Sequence, residues 1–149
     1  MGSREDIGAR GFTLLELLVT LSVIALAVGL ALPAIGRSTE TVRARAEVAG
    51  FSAVLRHARE QAITRRQPHK VVVEPVARRI TVLGGDDEVR RTRVLPERLV
   101  IEAVSAPSLT VRFEPEGSSS GGEFRLTSGT TAYRVTVDAV TGRVRATRE

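Results

Sequence analysis

Three successive patterns of apolar and polar positions divide the chain. From Leu17 to Gly36, 20 consecutive residues carry no charge. As a helix this run extends roughly 30 Å, about the thickness of a bilayer's hydrocarbon layer. It predicts a membrane-spanning first half for a long N-terminal helix that starts near Phe12 and bends at Pro33, where one hydrogen bond is missing and the preceding turn is crowded. Next, Val48, Phe51, Leu55, Ala58 and Ala62 recur every three or four residues, while Arg45, Arg56, Arg59, Glu60 and Arg66 fall elsewhere. That spacing predicts an amphipathic second half with one stripe for packing, ended by "QPH" at 67–69.

After Pro68 the period drops to two. "KVVVE" (70–74), "RITVL" (79–83), "RLVIEAV" (98–104), "LTVRFE" (109–114), "EFRLT" (123–127), "YRVTVD" (133–138) and "RVRAT" (143–147) are short and rich in β-branched residues. "GGDDE" (84–88), "PEGSSSGG" (115–122) and "AVTGR" (139–143) separate them with residues that tolerate tight reversals. The expected class is α+β: a long N-terminal helix, transmembrane then amphipathic, packed on a small antiparallel β-sheet. Its segments are 1–11, a short polar leader; 12–36, the transmembrane helix; 37–68, the amphipathic helix; and 69–149, the sheet domain.

Composition sharpens this picture at three points. With aromatic residues at 3%, the core must rest on Val, Leu, Ile and Ala. Cysteine is absent, which removes disulfides and thiolate metal sites. The formal charge of +5 comes almost wholly from arginine, Lys70 being the single lysine, and it permits binding to nucleic acid or anionic surfaces without requiring it. A secretory signal would have a shorter apolar run with a small-residue cleavage site, for which "ALA" (25–27) and "GLA" (29–31) are the candidates. In that rival reading a conventionally secreted enzyme follows the cut.

Glu16 stands at the start of the apolar helix, and a carboxylate inside a membrane calls for a partner. The stretch "GFTLLELLVTLSVIALAVGLALP" resembles the N-terminus of type IV pilins and type II secretion pseudopilins: Gly before the cut, Phe after it, Glu four residues on, then an apolar helix containing a proline. "LRHAREQAITRRQP", "VRFEPEGSSSGGEFRLT" and "YRVTVDAVTGRVR" resemble minor pseudopilins of the GspH/FimT type, so the likeness runs from Gly11 to nearly the end of the chain. The resemblance implies a pilin-like fold and cleavage between Gly11 and Phe12 by a prepilin peptidase, with methylation of the new Phe12 amine. It further implies that Glu16 pairs with the terminus of a neighbouring subunit as the assembly latch. Its implied setting is the bacterial inner membrane, crossed once, with the sheet domain in the periplasm. The implied partners are other major and minor pseudopilins, the peptidase, an inner-membrane assembly platform and membrane lipid. Orientation rests on the likeness, because Arg4 and Arg10 precede the span while Arg37, Arg43 and Arg45 follow it, a count that does not favour a cytoplasmic leader.

Other chemistry is sparse. His57 and His69 lack metal-ligand spacing and read as surface or packing residues, and Ser118, Ser119 and Ser120 lack a nucleophile elbow. Asp86, Asp87 and Glu88 cluster in one reversal but without the alternating oxygen ligands of a calcium loop, so they read as a solvated turn. No catalytic residue, cofactor or metal is assigned, and the chain is read as a structural protein rather than an enzyme. Near the C-terminus a strand after Gly142 places Arg143 and Arg145 on one face, with Val144 and Ala146 on the other. Minor pilins of the FimT kind that bind DNA show a similar Gly-Arg-any-Arg pattern, which implies a candidate DNA site at Arg143, Arg145 and Arg148. The plainer reading, an edge strand kept soluble by charge, is preferred.

Overall fold

The structure, a computed structural model, describes residues 12–104 and 109–149, and the side chains of residues 31–38 are not among those described. The leader 1–11, with Gly11, and the side chain of Pro33 therefore lie outside the described residues. Helix α1 (Leu14–Arg65) begins on an N-cap, Thr13. The Thr13 hydroxyl accepts the Glu16 N–H at 3.1 Å, and Glu16 sits three residues on, where a carboxylate suits the positive end of the helix. It ends as a Schellman turn. Arg66 takes φ 52°, the Gln67 N–H reaches back to the Ala62 carbonyl at 3.2 Å, and Pro68 prevents continuation.

Two compact units make up the chain, one ending at Thr39 and one running Glu40–Glu149. In the first, twelve large apolar side chains between Phe12 and Leu30 are each at least 52% exposed, Leu14 reaching 85%. Among the described residues no helix is long and apolar enough to cross a membrane, and the described side chains of the uncharged run stop at Leu30.

The second unit holds the entire described core, from Ala44 to Val144. Val48, Phe51, Leu55, Ala58 and Ala62 are all buried, so the helical stripe faces inward as its spacing predicts. Eight strands follow: β1 (His69–Glu74), β2 (Arg79–Leu83), β3 (Val89–Val94), β4 (Leu99–Ala103), β5 (Thr110–Phe113), β6 (Gly122–Ser128), β7 (Thr131–Val137) and β8 (Val144–Arg148). They form not one small sheet but two of four strands each, in the orders β3-β2-β1-β5 and β4-β6-β7-β8, antiparallel throughout. The division arises because β5 leaves its sequence neighbours to pair with β1, His69 opposite Phe113. Phe51 joins helix to sheet, its ring 5.5 Å from that of Phe124 in an edge-to-face contact at 69°.

Strand β3 is the element the sequence pattern misses. "VRRTRV" carries three arginines and is exposed along almost its whole length. As the edge of its sheet it needs only β2 for pairing, so no face of it must be apolar.

Candidate functional site

Two places gather chemistry. The first is the start of α1, where Phe12 and Thr13 precede the first turn and Glu16 lies on it, all exposed. Thr13 fixes where the helix begins, and that in turn sets Glu16 one turn from Phe12. Past them the apolar surface has no partner among the described residues of its unit.

The second lies beside β8. Asp138, at the end of β7, accepts two bonds through its Oδ1, from the Thr141 N–H at 2.7 Å and the Thr141 hydroxyl at 2.8 Å. These bonds, with a smaller contribution from the Arg145 charge, hold its carboxyl below the usual value of 3.8. The turn then passes through Gly142 at φ 61°, where a Cβ would drive into the Gly117 carbonyl oxygen and lie 2.8 Å from Arg59 Nε. Arg59 reaches from α1 into this turn, and its Nε donates to the carbonyls of Gly117 and Thr141, each at 3.1 Å.

The result is a groove of about 550 Å³ lined by Ala53, Arg56, His57, Arg59 and Glu60 of α1 and by Gly142–Arg145. Arg143 and Arg145 are exposed, lie on one face as the alternation predicts, and form no ion pair among the described residues. Val144 is buried between them. Arg148 shares the parity of Val144 and so leaves the strand on the opposite face, apart from Arg143 and Arg145. Arg56 and Arg59 were not singled out by the sequence. Their one signal is a pair of arginines three residues apart on the polar side of a helix, which reads equally well as solvated surface.

The remaining candidates take structural places. His69 is buried, with Nδ1 3.0 Å from the Gln67 carbonyl, while His57 is half-buried at the groove. Ser119 Oγ donates to the Asp138 carbonyl at 2.9 Å and Ser120 Oγ accepts the Arg112 N–H at 3.1 Å, so these serines brace the long turn. In the acidic turn, Asp86 and Glu88 meet Arg90 at 3.2 and 3.1 Å, and Asp87 meets Lys70 at 3.0 Å.

Residues 47–142 match the family described as type II transport protein GspH, and residues 8–32 match the prokaryotic N-terminal methylation motif. Type II secretion system protein H of Xanthomonas campestris pv. campestris is 32% identical over 144 residues, covering 92% of this chain and 82% of that one. Among solved structures, the minor pseudopilin EpsH from the Type 2 Secretion System of Vibrio cholerae has a TM-score of 0.56 at 18% identity, covering 73% of this chain and 96% of its own. The type IV minor pilin FimU of Pseudomonas aeruginosa has a TM-score of 0.60 at 15% identity, covering 73% and 91%. At those identities the two structures establish a shared fold, and with it the pilin-like α+β architecture.

Proposed function

The chain belongs to the GspH family of type II transport proteins, and from that membership we propose how it works as a subunit held in a fibre by its N-terminal helix. It is a minor pseudopilin of type II secretion, a structural subunit processed by prepilin peptidase at its methylation motif. Such a subunit is membrane-anchored, faces the periplasm and associates with other pseudopilins. In the proposal the membrane is the inner membrane, the cut falls between Gly11 and Phe12, and an assembly platform extracts the subunit from the bilayer.

The observation that carries the proposal is the apolar surface of residues 12–30. The second unit completes its core without it, yet twelve large apolar side chains stand at least half exposed. A surface of that extent requires lipid or like helices around it. Stored in the bilayer before assembly, the helix is covered by lipid; within a fibre, it is covered by the same element of its neighbours. The exchange is nearly neutral for apolar area, so direction and register must come from a polar contact.

Glu16 supplies that contact. In an apolar surrounding an unpaired carboxylate is costly, and the amine freed at Phe12 of the next subunit offers the compensating charge. Leaving either partner alone costs roughly 3 to 5 kcal/mol. The experiment is N-terminal sequencing of the chain recovered from membranes: a methylated Phe12 first supports the reading, and a start after the apolar run would replace it with a secreted protein.

A further inference from the structure

Strand β8 ends its sheet, with β7 on one side and, among the described residues, no strand on the other. Its register sets Arg145 opposite Thr136 and Val144 opposite Val137. The Asp138 N–H donates to the Arg143 carbonyl and the Glu149 N–H to the Ala132 carbonyl, both at 3.0 Å. Because bonded and non-bonded pairs alternate along an antiparallel ladder, Arg143, Arg145 and Thr147 direct their backbone groups to β7. Val144, Ala146 and Arg148 therefore turn theirs outward. Of these outward groups, the Val144 carbonyl is met by Arg56 Nη2 at 3.5 Å, and beyond Val144 the strand is exposed. A bare edge of this kind is a template for another strand.

Charge decides which strand. Elsewhere on this sheet Arg125 and Arg134 are neutralised by Glu149 and Glu123 at 3.0 Å or less, whereas Arg143 and Arg145 have no such partner among the described residues. They stand on one face about 7 Å apart, the two-residue repeat of an extended chain. The groove adjoining this edge adds Arg56 and Arg59, over a floor that includes Ala53 and Val144. Glu60 in the groove and Asp138 beside Arg145 interrupt the positive lining. The outward carbonyls of Ala146 and Arg148 can take donors, which a phosphate chain lacks and the N–H groups of an extended peptide supply.

We infer that the free edge of β8 captures an extended acidic segment of another subunit of the fibre, adding it as a fifth strand with carboxylates at every second residue facing Arg143 and Arg145. That the donor is a fibre subunit rests on the proposed function; the chemistry of the edge does not.

The test uses the full chain in non-ionic micelles, where binding at β8 is read without any contribution from Glu16 or from assembly. The probes are a labelled peptide alternating Asp and Val, a shuffled peptide of the same composition with its acids contiguous, and a duplex oligonucleotide. The alternating peptide binds about tenfold more tightly than the shuffled one, and amide exchange slows at Ala146 and Arg148. Ala146→Pro removes an outward N–H and leaves the bonds to β7 in place, so it weakens binding about three- to tenfold. Reversing both charges, Arg143→Glu with Arg145→Glu, abolishes binding of the Asp peptide and confers binding of one with Lys at those positions. Equal affinity for the two acidic peptides, or unchanged exchange at Ala146 and Arg148, overturns the inference. Duplex binding that depends on Arg143 and Arg145 but ignores Ala146→Pro also overturns it, and makes the site one for phosphates.

Discussion

Replacing Gly142 with alanine tests whether the turn before β8 is built around contact with α1. Two costs arise separately. A residue with a Cβ loses about 1 to 2 kcal/mol in the left-handed region, and Gly142 sits there at φ 61°. The added methyl also collides with the Gly117 carbonyl and crowds Arg59, at 2.8 Å from Nε and 3.0 Å from Cδ. Displacing Arg59 removes a donor shared by two carbonyls, one of them on buried Gly117, for about 1 to 2 kcal/mol more. The expected loss is about 2 to 4 kcal/mol, a fall in Tm of about 8 to 16 °C for a unit of this size. Gly129→Ala is the control. Its φ is 59°, but the nearest atoms are those of the Glu40 carboxyl at 3.9 and 4.0 Å, so it should incur the conformational cost alone. Urea unfolding of the full chain in micelles, followed by the signal of the single tyrosine, Tyr133, which is buried in the same unit, compares the two. Equal losses for both variants would refute the claim that Arg59 and Gly117 close on Gly142.

Three further outcomes are expected. Phe51→Ala removes the ring packed edge-on against Phe124 and should cost about 3 to 5 kcal/mol in the same unfolding assay. Arg66→Gly relieves a non-glycine residue at φ 52° in the helix-terminal turn and should stabilise by about 0.5 to 1 kcal/mol, read as a higher urea midpoint. The Asp138 carboxyl is held below 3.8 in the folded chain by its bonds from Thr141. Its contribution is therefore complete above that value and lost as pH falls through the depressed one, so the stability gap between the wild type and Asp138→Ala should close on acidification, as acid-dependent unfolding midpoints will show.

Much of the fold is legible in local pattern. The helical stripe from Val48 to Ala62 is buried, and every strand expected from period-two alternation is present to within a residue or two of its ends. These features are legible because each must show one apolar face to a shared core, which leaves a periodic trace. What leaves no such trace is missed. Strand β3 is an edge with no apolar face, Arg90 and Arg91 being exposed and Arg93 reaching back to the Gly50 carbonyl of α1, and the division into two sheets depends on the pairing of His69 with Phe113, far apart in sequence. The groove is half legible for the same reason. Arg143 and Arg145 can be placed on one face from "TGRVR", while Arg56 and Arg59 join them only through the turn at Gly142, a contact made across some eighty residues.

In the proposed function the Glu16 charge, and not merely its place on the helix, holds the subunit in a fibre. Glu16→Gln separates the two, since the backbone N–H at position 16 still bonds the Thr13 hydroxyl while the charge is removed. The decisive measurement is the fraction of Glu16→Gln chains recovered in sheared fibres relative to the wild type at equal membrane levels. The variant is expected to be processed to Phe12, to remain in the membrane and to be all but absent from the fibre; recovery at the wild-type level would show that the charge is not what holds the subunit there.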